Sequence, residues 1–135
     1  MQPYDILMVR DGTYLVGTCA MISPAETKIV YQSHLMKIRS NDHDKINPYL
    51  LLALLSSPIV KQQIRSKQFT QDIIDTLGRR VMELKLPFPK SAEEMDRIIS
   101  QVKKFLTNEM KQKSWCEMCF LALYLFIGLM KIVHF

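Results

Sequence analysis

Glycine is scarce, four residues in 135, and no glycine-rich turn joins an apolar strand to a helix. That absence removes the backbone cradle that a methyl donor would need. Cysteine is scarce too. Cys19, Cys116 and Cys119 do not make a disulfide framework, and the N-terminus shows no charged-then-apolar leader, so the expected compartment is a reducing cytoplasm. His34, His43 and His134 are scattered without the spacing of metal ligands, so neither a metal nor any other cofactor is expected. Internal repeats and low-complexity stretches are also missing. One further absence is local: no Asp or Glu occurs between Asp44 and Asp72.

What is present suits one folded domain. Hydrophobic residues make up 48% of the chain and charged residues 23%, enough apolar side chain to offset the entropy of ordering. The formal charge is +5, and its excess lies early: residues 1–90 carry 12 Lys and Arg against 8 Asp and Glu, whereas residues 91–113 carry 5 against 4. Such a surplus leans toward a polyanionic partner, although solubility alone accounts for a mild one.

Local patterns predict an α+β fold: a small irregular mixed or antiparallel sheet with packed helices, then a long amphipathic helix. Asp5–Val9 reads as a short strand, Arg10–Thr13 as a tight turn in which Asp-Gly supplies positive φ, and Tyr14–Ile22 as the returning strand. Thr27–Arg39, rich in β-branched and aromatic residues, reads as further extended chain. Asn47-Pro48 and Pro58 each start a helix, the first apolar on most faces, the second with Ile59, Val60 and Ile64 inward and Lys61, Gln62, Arg65 and Gln68 outward. Val81–Leu86 reads as a strand closed by Pro87-Phe88-Pro89, with Met82, Leu84 and Leu86 inward. Ser91-Ala-Glu-Glu94 is a capping box opening a helix through about Lys113, whose Met95, Ile98, Ile99, Val102, Phe105, Leu106 and Met110 recur every three or four residues.

Five stretches follow one another in order: Asp5-Ile-Leu-Met-Val-Arg-Asp-Gly12, Gln32-Ser-His-Leu35 with Lys37-Ile-Arg39, Asn47-Pro-Tyr-Leu-Leu51 with Leu54-Leu-Ser-Ser57, Leu77-Gly78, and Leu84-Lys-Leu-Pro-Phe-Pro89 before a charged helix. In that order they resemble the specificity subunits of type I restriction-modification systems. The resemblance spans about residues 3–110. It implies that 1–90 is the C-terminal part of a DNA target-recognition domain and 91–113 the start of a spacer helix. It further implies a non-catalytic role, double-stranded DNA as a partner, and docking onto methyltransferase and restriction subunits. A complete subunit would carry a second recognition domain and spacer, which this chain does not include. Base-reading residues differ between members with different targets, so none carries over by resemblance.

The residues themselves offer candidates. Lys61, Gln62, Gln63, Arg65, Lys67, Gln68, Thr70 and Gln71 form a basic, glutamine-rich sector suited to phosphates and to base edges in a major groove, or simply a solvated helix face. Arg10, Thr13 and Tyr14 sit at the expected hairpin turn, where a loop on a rigid scaffold can carry recognition or be only a turn. Lys37 and Arg39 should share one face of a strand, facing either DNA or solvent.

Three enzyme-like patterns have plainer explanations. Asn47-Pro48-Tyr49 resembles an adenine methyltransferase loop but lacks its second proline. Asp72 with Glu83-Leu-Lys85 resembles a metal-dependent nuclease, yet Glu83 and Lys85 fit the outward side of a strand. Trp115-Cys116-Glu117-Met118-Cys119 imitates a redox motif without the chain needed to build its framework.

The last segment, 114–135, stands apart. Met118–Phe135 is 18 residues long and interrupted by Lys131, where about 20 apolar residues are needed to cross a bilayer. A spurious tail translated past an interrupted gene, a buried or self-associating helix, and a membrane anchor all remain open, as does self-association through the preceding helix.

Overall fold

The computed structural model describes residues 1–12, 15–71 and 74–111. Within them lie strands β1 (Ile6–Val9), β2 (Asp11–Gly12), β3 (Cys19–Met21) and β4 (Leu35–Ile38), helices α1 (Pro48–Ser56) and α2 (Pro58–Lys67), strands β5 (Phe69–Gln71) and β6 (Ile74–Thr76), a 3-10 turn (Gly78–Glu83) and helix α3 (Ala92–Lys111). The strands form two antiparallel sheets, β3-β1-β4 and β2-β6-β5, so the fold is α+β.

Alternation along β1 sets the core. Ile6 and Met8 point to one side and are fully buried. Ile6 meets Leu51 and Leu55 of α1, and Met8 meets Val60 and Ile64 of α2 together with Leu77. Both helices therefore cover the same face of the first sheet. Each begins with proline behind a polar cap, because proline has no N–H to leave unpaired there. Asn47 Oδ1 accepts from the Tyr49 N–H at 3.0 Å, and Ser57 Oγ accepts from the Val60 N–H at 3.3 Å. Ser57 also closes α1, its own N–H donating to the Leu54 carbonyl at 3.1 Å. One buried serine thus serves as the elbow between two helices. Downstream, Ser91 Oγ accepts from the Glu94 N–H at 3.4 Å, and α3 packs against α1.

Three local expectations need correcting. Asp11-Gly12 is not the hairpin's tight turn. It pairs as β2 with β6, Asp11 opposite Thr76 and Gly12 opposite Asp75, so a distant strand outcompetes the local turn preference. The chain instead reverses before β3 at Leu15–Thr18, where Thr18 N–H donates to the Leu15 carbonyl and Gly17 takes φ +85°. A side chain at Gly17 would meet Ile64 as well, since a Cβ there would fall 2.6 Å from Ile64 Cδ1.

Val81–Leu86 is not a strand. Gly78–Glu83 winds as a 3-10 turn, and Leu84 N–H donates to the Val81 carbonyl at 3.3 Å. A period of three replaces a period of two. Val81 and Leu84 both pack on the core, while Met82, expected inward, is 87% exposed. Finally, of the extended stretch Thr27–Arg39, only Leu35–Ile38 joins a sheet.

Thr13 and Tyr14, Asp72, and the segment from 112 onward, including the Trp115–Cys119 pattern and the apolar tail, lie outside the described residues. Among the described residues no helix is long and apolar enough to cross a membrane.

Candidate nucleic-acid interface

Helix α2 divides its surface by the usual rotation of about 100° per residue. Val60 and Ile64, four apart, lie in the core, so Gln62, Arg65 and Ser66 form the opposite, exposed ridge. Lys61 stands on the shoulder of that ridge, half-buried. Burial pulls its pKa down, the Cys19 side chain opposes that shift, and the neighbouring Arg65 charge adds to it. The last turn carries Arg65 and Lys67, placed where cations favour a helix C-terminus, and no carboxylate occurs on the helix.

The other flank of α2 is engaged. The Gln63 side chain bridges the backbone of Lys85 in both directions, Nε2 donating to its carbonyl at 2.8 Å and Oε1 accepting from its N–H at 2.9 Å. This amide acts as a short stand-in for a strand partner and holds the 84–86 segment against the helix. Lys67 Nζ reaches Glu83 Oε2 at 2.8 Å, which lowers the Glu83 pKa. Glu83 is thus on the 3-10 turn beside a lysine, rather than on a strand beside Lys85. Gln68 Nε2 donates to Asp75 Oδ2 at 3.4 Å. Of the expected sector, Gln62 and Arg65 point freely outward, Lys61 does so in part, and Gln63, Lys67 and Gln68 hold the fold together. The side chains of Thr70 and Gln71 are outside those described.

The remaining candidates fall elsewhere. Arg10 grips Asp11, Nε at 3.0 Å and Nη2 at 2.8 Å from Oδ2. Asp11 in turn accepts from the Thr76 hydroxyl, and these contacts hold its carboxyl below the usual range, Arg10 being the main cause. Arg10 therefore belongs to the joint between the two sheets. Lys37 is exposed on β4, opposite Leu7. Since Ile6 and Met8 define the helix-covered face, strand alternation puts Lys37 on the other face, away from the α2 ridge. Arg39 is bound to the buried Asp5 through Nε at 2.5 Å and Nη2 at 2.8 Å. Lys37 and Arg39 thus differ in role despite their expected common face, one free and one paired.

Two residues were missed by the sequence reading. Arg79 and Arg80, on the 3-10 turn, are both exposed, and Arg80 Nη1 donates to the Lys67 carbonyl at 3.2 Å, at the C-terminal end of α2. An adjacent Arg-Arg pair in an already basic stretch was the available signal. Reading 81–86 as a strand obscured it, because that strand would have left the pair in a connecting turn.

No family model, no curated protein and no solved structure matches this chain.

Proposed function

We propose that the chain takes part in sequence-specific recognition of double-stranded DNA, as part of the specificity subunit of a restriction-modification complex in the cytoplasm, with no catalytic centre of its own. The observation that carries this reading is the α2 ridge: Gln62 and Arg65 exposed, Lys61 beside them, all on a helix without a carboxylate and anchored by Val60 and Ile64. A helix held rigidly from behind can present an amide and a guanidinium to base edges, while its cations neutralise phosphates. In this reading 1–90 is the recognition part, 91–113 begins a spacer helix, and methyltransferase and restriction subunits are the further partners. Fluorescence anisotropy against mixed duplexes at two salt concentrations tests it. Binding that weakens steeply with salt is expected, and absence of binding at low salt overturns it.

A second reading has its own observation. On α3, Met95, Ile98, Ile99, Val102, Phe105 and Leu106 are none of them fully buried, although the helix already packs on α1. A protein-interaction module docking through 91–113, without DNA, would use that face. Salt-insensitive capture of a protein partner with no affinity for duplexes would favour it.

A further inference from the structure

The 3-10 turn places Arg80 at the end of α2, with Arg79 before it on the same turn. Arg80 Cζ lies 4.9 Å from the centroid of the Phe69 ring, and one of its N–H groups is spent on the Lys67 carbonyl at 3.2 Å. Phe69 is a large apolar side chain left 40% exposed, immediately after α2. Its ring also borders Gly78, at which an added Cβ would sit 3.5 Å from Phe69 Cε1. A ring wedged between a glycine and a guanidinium serves as a pedestal: it fixes a charged, planar group at the surface at little cost in further entropy. Arg79 is exposed and, among the described residues, makes no hydrogen bond or ion pair. The one carboxylate of the turn, Glu83, is engaged first by Lys67, with Arg80 a weaker cationic neighbour.

The geometry points to a second contact site at the C-terminal end of α2, in which Arg79 and the Phe69-seated Arg80 hold phosphodiester oxygens of the duplex that meets the α2 ridge. It rests on the DNA reading and deepens it by separating positioning from base reading. Arg80 is held by a ring and a carbonyl whatever the partner, so its contact is independent of sequence. Together with Arg65 in the adjoining last turn, the pair extends a run of cations that suits a polymer with a charge at about every 1.7 Å of its axis.

The test is anisotropy of the full chain on several duplexes of different sequence, from about 50 to about 200 mM salt, for the wild type and for Arg79→Gln. Arg79 is exposed, so the variant is expected to keep the fold, which a thermal melt verifies. Losing one phosphate contact lowers the salt slope by about 0.9, so the drop in affinity over that range becomes roughly threefold smaller, equally for every duplex. Arg80→Lys keeps the charge and loses the planar fork, and is expected to bind less tightly than wild type with nearly the same slope. Wild-type binding with an unchanged slope in Arg79→Gln overturns the inference and leaves the DNA reading standing. A loss that varies with duplex sequence overturns it too, by making Arg79 a base reader. No wild-type binding to any duplex, with binding to polyglutamate instead, overturns the DNA reading itself.

Discussion

Asp5, with its side chain fully buried, is held at both carboxylate oxygens by Arg39, at 2.5 Å from Nε and 2.8 Å from Nη2. The pair joins the start of β1 to the end of β4, and the Gln2 N–H adds a third bond at 2.7 Å. Chiefly through the Arg39 hydrogen bond and against the effect of burial, the Asp5 pKa is lowered to about 2. A carboxyl depressed in the folded state contributes stability that is fully present above its unfolded pKa, about 3.9, and is lost as pH falls through the folded value. The contribution is on the order of 2 kcal/mol. The melting temperature should therefore fall between about pH 5 and pH 2, and this step should shrink in Arg39→Ala. At neutral pH, Arg39→Ala should cost about 2–4 kcal/mol, because it strands a buried charge. A denaturant titration showing less than about 0.5 kcal/mol would mean that water reaches Asp5 easily.

Gly17→Ala should destabilise by more than the ordinary penalty for a positive φ. Left-handed backbone costs a non-glycine residue about 1 kcal/mol, and the added Cβ would also fall 2.6 Å from Ile64 Cδ1. About 2–4 kcal/mol is expected from urea melts. Ile64→Val in the same chain removes the clashing methyl, so the double variant should recover part of the loss relative to the sum of the two single changes. Strict additivity would show that the contact with Ile64 is not the cause.

Ser57→Ala removes the hydroxyl that caps α2 while leaving the N–H that closes α1. A cap of this kind is worth about 1 kcal/mol, and burial puts this one toward 2, since the freed Val60 N–H gains no water. Ser57→Asn or Ser57→Asp restores a capping acceptor but adds bulk at a buried site. Ser57→Thr is the better rescue and should keep most of the stability in a thermal scan.

Arg65→Ala should leave folding intact, because the residue is exposed and, among the described residues, joins no ion pair. If the α2 ridge meets DNA, affinity at low salt should fall by about tenfold, a loss in keeping with one charged base or phosphate contact. Gln62→Ala should change the preference among duplexes more than the overall affinity. Melting curves and duplex titrations on the same preparations separate the two, and unchanged binding in both variants would remove α2 as the contact surface.

The features legible in the sequence were those whose physics is local. The Asn47-Pro48 and Pro58 helix starts, the Ser91 cap and the inward positions Val60 and Ile64 each depend on groups within about four residues, so spacing alone displays them. The α+β class followed from the same periodicities. The acid-free stretch around α2 was equally plain, being a matter of composition.

Tertiary structure decided the rest, because strand pairing and ion pairing join groups that lie far apart in the chain. Asp11-Gly12 carries the local signature of a tight turn, yet β6 supplies it with a ladder partner, and backbone groups pair wherever a partner is in reach. The 81–86 segment has an alternation that permits a strand, but its first half belongs to the 3-10 turn Gly78–Glu83 and its second half is held to α2 by the amide of Gln63, which bonds the Lys85 backbone. The same holds for charge. Sequence put Arg39, Lys67 and Arg65 in one class, whereas folding bound the first to Asp5 and the second to Glu83 and left Arg65 facing outward, since which cation meets a carboxylate depends on the path of the whole chain.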